Sequence, residues 1–363
     1  MQTVLVTGGT GFVGRNLVPR LRQAGFEVRI FTRYRDKGQA LQSQYGCAFF
    51  EGSPYDLSRL AKACEGASAV IHLVGAVTET PQAPFEDVHT RLTRLVVEAA
   101  CQKGVRRFLH VSALGARPYS LCRYYRSKWQ AEQCVQASPL DWTILRPSVI
   151  FGKGDRFTTR IAQLVESFSA SLLLKTLPLP GGGVSFLQPV AVWDVAEVCL
   201  RALGHPDAIG RTLVVAGPQR LSLRAIVEEI FAAVGVPSQT PRSSPLAATL
   251  RRWSEALGGV VLAVAGSGLL GVSPSLAFPS ILLGLSFLLH ATCDPTWLLP
   301  PVPWPVSYAA AWLAERCVGP RLLSVSELCV LEEGSWGDPT PTAELLGIHW
   351  TPFSEGIRRY LPL

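Results

Sequence analysis

A glycine-rich turn near the start of the chain constrains the fold more than any other feature of the sequence. The segment Thr7-Gly-Gly-Thr-Gly-Phe-Val-Gly14 follows the apolar run Thr3–Thr7 and leads into a stretch with helical spacing over residues 12–24. A strand, a tight glycine turn and a helix in this order open the dinucleotide-binding half of a doubly wound sheet. The sequence therefore predicts an α/β fold of the Rossmann type.

The residues of this turn have distinct expected roles in holding a dinucleotide. Gly8 and Gly9 allow a tight turn, Gly11 lets the backbone approach the pyrophosphate, and Gly14 lets the helix pack close to the strand. The start of the helix offers unpaired N–H groups and a positive dipole end to the phosphates. The alternative is a glycine-rich turn without a ligand. The expected cofactor-binding loop comprises Gly8, Gly9, Thr10, Gly11, Phe12, Val13 and Gly14.

Strand-like and helix-like segments alternate through the first half of the chain. Further strands are predicted at residues 27–32, 47–50, 68–74, 107–111 and 142–145, and further helices at 56–64, 86–103 and 123–135. This alternation predicts a parallel sheet with helices on both faces. A helix over 194–203, a strand over 212–215 and a helix over 222–234 are expected in a smaller lobe.

Basic residues follow the second predicted strand, at the position that reports on the cofactor's 2′ group. An acidic residue there would bind the ribose 2′-hydroxyl of NAD. This chain instead has Arg33, which is placed to meet a 2′-phosphate, with Arg35 as a second basic group. The pattern favours NADP(H), with NADPH preferred over NADH. The alternative is a pair of solvated surface arginines.

A tyrosine and a lysine four residues apart lie on the helix predicted over residues 123–135. Tyr124 and Lys128 share one helix face. A nearby ammonium group lowers the pKa of a phenol and makes it a usable proton donor or acceptor. Lys128 is also expected to hold the nicotinamide ribose. The alternative is a surface pair on an amphipathic helix.

One nearly charge-free block holds much of the apolar excess of this chain, which is 48% hydrophobic and only 17% charged. Residues 256–293 contain no Asp, Glu, Lys or Arg. The apolar runs 257–272 and 276–291 are each about 24 Å long as helices, against about 30 Å for a hydrocarbon core. The block is flanked by aromatic residues of the kind found at membrane interfaces, namely Trp253, Trp297, Trp304 and Trp312. We expect a membrane hairpin; the alternative is a buried helical pair or an oligomer interface.

The net charge of +7 is concentrated in front of this block. Residues 1–255 carry 30 Lys and Arg against 19 Asp and Glu, whereas residues 256–363 carry 4 against 8. A basic front part suits an anionic partner such as a phosphate-bearing cofactor or an anionic lipid surface. Scattered basic residues without a zinc-finger spacing argue against nucleic acid. Nine widely spaced cysteines without a C-x-x-C motif argue against a metal site or a disulfide framework.

These patterns divide the chain into four expected segments. They are a dinucleotide-binding domain over residues 1–155, a substrate-side lobe over 156–242, an apolar insert over 243–314, and a C-terminal tail over 315–363 that packs on the lobe. No signal peptide is expected, since a strand-like run begins at Gln2. Arg251 and Arg252 precede the charge-free block, which is consistent with entry from the cytoplasmic side.

Together with the glycine turn, several motifs resemble the extended or atypical branch of the short-chain dehydrogenase/reductase superfamily. They are His110-Val-Ser-Ala-Leu-Gly115, Tyr124-x-x-x-Lys128, Leu145-Arg-Pro-Ser-Val-Ile-Phe-Gly152 and Gln188-Pro-Val-Ala-Val-Trp-Asp194. Within that branch, the chain most resembles the family of NADPH-binding accessory subunits of respiratory complex I and their bacterial relatives. The resemblance covers residues 1–240 and, more loosely, 295–363, while residues 243–293 look like an insertion.

The resemblance implies roles for individual residues. The superfamily's Ser, Tyr and Lys correspond to Ser112, Tyr124 and Lys128, with Tyr124 as the acid/base; the serine position can also fall at Ala113. Residues at strand ends are implied to flank the cofactor: Gly75, Ala76 and Pro147. In the accessory subunits, bound NADPH serves structure or assembly more than turnover. Enzymatic activity as an NAD(P)-dependent oxidoreductase is therefore left open.

Two functions are compatible with these features. The first is a membrane-associated NADP(H)-binding accessory or assembly factor of a quinone-linked respiratory complex. It would lie on the cytoplasmic face of the membrane, with a dinucleotide, membrane lipid and a subunit of that complex as partners. The alternative is an active NADPH-dependent reductase or isomerase acting on a lipophilic substrate such as a quinone or an isoprenoid precursor. A redox-sensing binder without chemistry is a third class, for which the sequence has no dedicated feature.

Overall fold

A computed structural model describes residues 2–169, 177–236, 238–239, 297–298, 301–317 and 324–361 of the chain. The strands are Thr3–Thr7 (β1), Glu27–Thr32 (β2), Ala48–Glu51 (β3), Ala69–His72 (β4), Arg107–Val111 (β5), Asp141–Pro147 (β6), Ile150–Phe151 (β7), Leu179–Pro180 (β8), Phe186–Leu187 (β9), Val190–Ala191 (β10), Arg211–Val215 (β11), Leu221–Ser222 (β12), Ser238–Gln239 (β13), Trp297–Leu298 (β14) and Pro301–Val302 (β15).

Helices follow most of the longer strands. They are Phe12–Gln23 (α1), Arg35–Tyr45 (α2), Leu57–Cys64 (α3), Leu92–Gln102 (α4), Arg123–Gln136 (α5), Thr158–Ser169 (α6), Val192–Gly204 (α7), Leu223–Ala233 (α8), Trp304–Cys317 (α9), Val325–Glu333 (α10), Thr340–Leu346 (α11) and Phe353–Arg358 (α12). A π-helical turn spans Glu86–Arg91, and 3₁₀ turns span Gly181–Gly183 and Pro206–Ala208.

Seven parallel strands form the main sheet in the order β11-β6-β5-β4-β1-β2-β3. From β1 the chain adds β2 and β3 on one side, and it then crosses back to add β4, β5 and β6 on the other side. The strand order therefore reverses between β1 and β4. In doubly wound sheets, ligands bind at this reversal, beyond the carboxyl ends of the strands. The register places Thr7, His72 and His110 side by side there. This confirms the expected Rossmann-like α/β fold.

Both faces of the sheet are buried, which explains why its strands are apolar runs rather than alternating ones. Val4, Val6 and Ile71 point into one core, which α1 and α7 cover. Leu5 and Val70 point into the other core, which α3 and α4 cover. The glycine turn between β1 and α1 is therefore held between two packed layers.

The described residues form two units by their contacts. One lies within Met1–Arg156, Ser185–Leu221 and Tyr308–Tyr360, and contains the main sheet; the other lies within Phe157–Val184, Ser222–Ser307 and Leu361–Leu363. Strand β11, which the sequence analysis assigns to the smaller lobe, is the seventh strand of the main sheet. The four-segment division of the chain stays a prediction.

The expected membrane hairpin over residues 256–293 lies outside the described residues. Within the described helices, none combines the length and the apolar composition that a bilayer crossing requires.

Candidate functional site

The glycine turn has the backbone geometry that a phosphate loop needs. Gly8 has a φ of 78°, and its carbonyl oxygen accepts a hydrogen bond of 2.9 Å from the N–H of Gly11. A Cβ atom on Gly14 would lie 2.4 Å from the carbonyl oxygen of Gly9. Only glycine at this position therefore lets the first turn of α1 sit so close to the loop.

The start of α1 has the features of an anion site. Gly11 is the N-cap residue and has no side chain with which to bond the first N–H groups of the helix. Thr10, Phe12 and Val13 are partly exposed beside it. Backbone N–H groups and the positive end of the helix dipole are thus left for a ligand, and the residues present fit the pyrophosphate of a dinucleotide.

The two expected 2′-phosphate residues differ in their surroundings. Arg33 is exposed after β2, and its guanidinium lies 4.9 Å from the centre of the Tyr34 ring. Arg35 opens α2 and forms an ion pair of 3.5 Å with Glu51 at the end of β3. Since Arg35 already faces a carboxylate, Arg33 is the better placed of the two to meet a phosphate.

Lys128 is buried at the edge of the sheet where β4 and β5 end. Its Nζ donates a hydrogen bond of 3.1 Å to the carbonyl oxygen of Val111. A Cβ atom on Gly75 would lie only 2.8 Å from that Nζ, so the structure brings Lys128 and the Gly75–Ala76 turn together as expected. Burial lowers the pKa of Lys128 from 10.5 to about 8, although the nearby Glu132 carboxylate opposes this shift.

A histidine on the π-helical turn links the Gly75–Ala76 turn to α5. The N–H of Ala76 donates to His89 Nε2 at 3.1 Å, so this nitrogen carries no proton and Nδ1 must carry it. Nδ1 is 2.8 Å from Ser127 Oγ, which in turn donates to the carbonyl oxygen of Tyr124. Burial and the charge of Lys128 hold the pKa of His89 well below its ordinary value, so its ring is neutral.

Tyr124 is not activated in the way that the sequence predicts. Its ring packs edge-on against Phe85 and His89, with centroids 5.8 and 5.5 Å away. Burial, and secondarily the Cys122 thiol, raise the pKa of Tyr124. The pKa of Tyr124 is thus raised and not lowered as expected; the Lys128 ammonium donates to the backbone of Val111.

Ser112 lies directly after β5, next to the carbonyl that Lys128 binds. Its N–H donates to Leu145, while its hydroxyl is buried without a hydrogen-bond partner in the described part of the chain. Pro147, at the end of β6, accepts a hydrogen bond of 2.9 Å from Leu114. These contacts place Ser112 and Pro147 at the same end of the sheet as the glycine turn.

Sequence reasoning missed a buried polar layer beneath the glycine turn. His72 bonds to Thr7 at 2.6 Å and to Thr93 at 3.1 Å, and its ring stacks on His110 at 5.4 Å. Burial lowers the pKa of His72 to about 3. Both ring nitrogens of His110 lack a partner among the described residues. The signal was present: the strands predicted at residues 68–74 and 107–111 each contain one histidine within a largely apolar run.

A buried ion pair anchors the helix that carries these groups. Glu132 of α5 is fully buried, and its carboxylate accepts two hydrogen bonds from Arg146 of β6, one of them 2.8 Å long. Glu132 lies one helical turn beyond Lys128. This bidentate pair fixes α5 against the sheet and so helps to position Lys128.

The shifted pKa of Lys128 makes stability depend on pH in a defined window. Between about pH 8 and 10.5 the unfolded chain holds a proton that the folded chain has lost, so the free energy of unfolding rises as pH rises. The full effect is about 3 kcal/mol. Buried thiols with raised pKa values, such as Cys64 and Cys199, act in the opposite direction above about pH 9, so the effect of Lys128 is read as a difference. In urea unfolding, the free energy of the natural chain should change between about pH 7 and pH 10.5 by about 3 kcal/mol more in the stabilising direction than that of Lys128→Met. An equal pH dependence in both proteins would contradict the assignment.

Comparisons with known proteins agree with this geometry. The family described as NAD(P)H-binding matches residues 8–206. The rat protein NADH dehydrogenase (ubiquinone) 1 alpha subcomplex subunit 9, mitochondrial, is 34% identical over 260 residues, which cover 70% of this chain and 66% of that protein. The chain thus spans a little less than two thirds of this relative's length.

Two further matches come from bacterial proteins. A ceramide reductase from Caulobacter vibrioides is 37% identical over 164 residues, which cover 44% of this chain and 50% of that protein. A short-chain dehydrogenase/reductase superfamily protein from Agrobacterium tumefaciens, solved with bound NAD, has a TM-score of 0.53 and 25% identity, covering 65% of this chain and 84% of that one.

Proposed function

Because this chain belongs to the NAD(P)H-binding family within the short-chain dehydrogenase/reductase superfamily, we propose that it holds NADPH as an accessory or assembly factor of a quinone-linked respiratory complex. Its place is the cytoplasmic face of a membrane, with anionic lipid and a subunit of the complex as neighbours. The cofactor-binding residues are those of the glycine turn, Arg33, the Gly75–Ala76 turn, Lys128 and Pro147.

One contrast carries this proposal: the glycine turn has the geometry of a cofactor-binding loop, whereas Tyr124 and Lys128 are not arranged as an acid/base pair. The glycine turn already has the tight backbone and the close approach of α1 that a pyrophosphate site requires. Tyr124, in contrast, has a raised pKa, and Lys128 is bonded to Val111. A general acid or base works best with a pKa near the operating pH. Retention of the cofactor is therefore favoured over turnover.

Purification of the full chain from membranes in a mild detergent tests the proposal. We expect bound NADPH in near-equal amount to the protein and co-purifying subunits of a quinone-linked complex. Nucleotide is released by heat and identified by chromatography, and the co-purifying proteins by mass spectrometry. Recovery of the chain alone, or in the soluble fraction, would contradict the assembly role, and recovery without nucleotide would contradict the cofactor role.

Tyr124→Phe separates the accessory role from catalysis. We expect bound NADPH and assembly of the complex in cells to stay within about twofold of the natural chain, because only one hydroxyl is lost and the ring packing is kept. Tyr119→Phe, at a tyrosine that is 93% exposed, is the matched control. Loss of a product-forming activity in Tyr124→Phe alone, with NADPH retained, would support an enzyme instead.

Arg33→Ala tests the choice of cofactor. Losing a charge-assisted bond to the 2′-phosphate should weaken NADPH binding roughly 10- to 100-fold, while NADH, which has no such phosphate, changes little. Arg94→Ala, at an exposed arginine of α4, should leave both affinities unchanged. Dissociation constants from calorimetric titration decide the matter, and an equal loss for both cofactors would rule out this role of Arg33.

A reductase or isomerase acting on a lipophilic substrate is the second candidate. It is favoured by the Ser112 hydroxyl, which is buried and unpaired at the end of β5 within the described residues, and by the match to a ceramide reductase. In this role the bound nicotinamide supplies a hydride. Tyr124 would donate a proton to the substrate oxygen, and Ser112 would hydrogen-bond to that oxygen.

A further inference from the structure

Two cysteine thiols meet at the start of the helix that carries Tyr124 and Lys128. Cys122 is the N-cap residue of α5, and Cys329 lies in the middle of α10. Cys329 packs on the small buried cluster formed by Ala113, Cys122 and Tyr125. Both thiols are free.

Contacts other than the thiols hold α10 in this place. Glu333, one turn beyond Cys329, accepts hydrogen bonds of 2.8 Å from the N–H of Cys122 and from Ser120 Oγ. Arg117 forms an ion pair with the same carboxylate. The Tyr125 hydroxyl donates to the carbonyl oxygen of Gly334 at 3.3 Å. A network that does not depend on the thiols therefore holds α10 against the start of α5.

We propose that Cys122 and Cys329 form a reversible intramolecular disulfide that ties α10 to the first turn of α5. The bond joins segments that are far apart in sequence and closes directly beside Tyr124. Cys329 already packs on the cluster that contains Cys122, and Glu333 of the same helix accepts a hydrogen bond from the Cys122 N–H, so the two segments are held together before the bond forms.

The surroundings of the two thiols assign the order of the reaction. The neighbouring Cys122 thiol, and to a smaller extent the Tyr308 hydroxyl, lower the pKa of Cys329 against the effect of burial, and Cys329 is also the more exposed of the two. The neighbouring Cys329 thiol and burial raise the pKa of Cys122. Cys329 is thus the thiolate that meets an external oxidant, and Cys122 is the resolving thiol.

The reaction is an exchange with a small disulfide such as oxidised glutathione. The Cys329 thiolate attacks one sulfur of that disulfide, which forms a mixed disulfide and releases one glutathione thiolate. The Cys122 thiol then loses its proton and attacks the Cys329 sulfur, which releases the second glutathione thiolate. Two protein thiols are oxidised, one external disulfide is reduced to two thiols, and the two protein protons end on the released glutathiones.

Mass spectrometry of the full chain in a glutathione redox buffer tests the proposal. Free thiols are blocked by alkylation before digestion. The expected result is a linked pair of peptides containing Cys122 and Cys329, two fewer alkylated thiols per chain, and full reversal by dithiothreitol. Cys134→Ser, at another cysteine of α5, is the matched control and should keep the linked pair.

Single variants distinguish the two positions. In Cys329→Ser the linked pair should disappear, and Cys122 should stay unmodified because it is buried. In Cys122→Ser, Cys329 should stop at the mixed disulfide with glutathione. Circular dichroism checks that each variant folds. If Cys122→Ser does not fold, the result for Cys329→Ser decides whether the proposal holds. A mixed disulfide at Cys329 in the natural chain without any linked pair, or linkage only between separate chains, would overturn the proposal.

Discussion

Gly14→Ala is expected to lower the affinity for NADPH by at least about 100-fold, since the cofactor's pyrophosphate depends on the close approach of α1 to the loop. The added methyl group would sit 2.4 Å from the carbonyl oxygen of Gly9 and 2.5 Å from its Cα. These are backbone atoms, so the contact cannot be relieved by turning a side chain. Helix α1 must move away from the loop, at a cost of roughly 1–3 kcal/mol in the free energy of unfolding.

Fluorescence titration with NADPH and urea unfolding measure the two effects of Gly14→Ala separately. Gly204→Ala is the matched control: it places the same methyl group on a helical glycine whose Cβ position has no atom within 4 Å. That variant should bind NADPH normally and be no less stable. If Gly14→Ala also bound NADPH normally, the glycine turn would not be the phosphate site.

Arg146→Met is expected to lower the free energy of unfolding by about 3–5 kcal/mol. The substitution leaves the Glu132 carboxylate fully buried without its bidentate partner. A charge removed from water and left unpaired is far more costly than the loss of the pair's mutual attraction. Urea unfolding, with the midpoint and slope both fitted, measures the change.

Two comparisons show whether burial is the cause. Arg106→Met removes one member of an ion pair in which the arginine side chain is 87% exposed, and should cost less than about 1 kcal/mol. The double variant Arg146→Met/Glu132→Leu should recover part of the lost stability, because the unpaired buried carboxylate is gone. A loss as small in Arg146→Met as in Arg106→Met would show that water reaches Glu132.

The sheet was predictable from the sequence because its strands are buried on both faces. Such strands read as continuous apolar runs, and the predicted strands at residues 3–7, 27–32 and 107–111 match the structure residue for residue. Helix α2 was missed because its sequence is mostly polar and only Gly38 and Leu41 are buried. The π-helical turn was read as regular α-helix because its buried residues, His89 and Thr90, are polar and provide no apolar positions from which the change in spacing could be read.

The candidate site was predictable only in part. The glycine turn works through backbone geometry that is local in sequence, so Gly8 and Gly14 could be identified from their spacing. The pKa of Tyr124 depends on what surrounds its ring, including residues from the π-helical turn that spacing cannot place. Glu333 contacts the start of α5 although it lies near the other end of the chain, and no local sequence pattern predicts this contact.

The position of β11 in the sheet determines when the sheet can be completed during translation. In the described part of the chain, the outer edge of β6 pairs with residues Arg211–Val215, and α11 then packs on β11. Because translation delivers the N-terminal part first, β6 presents an open edge to other nascent chains until β11 leaves the ribosome. The cofactor loop can form early, whereas the support that Glu333 gives to α5 arrives late. An early-bound dinucleotide would stabilise this unfinished sheet while its edge is exposed.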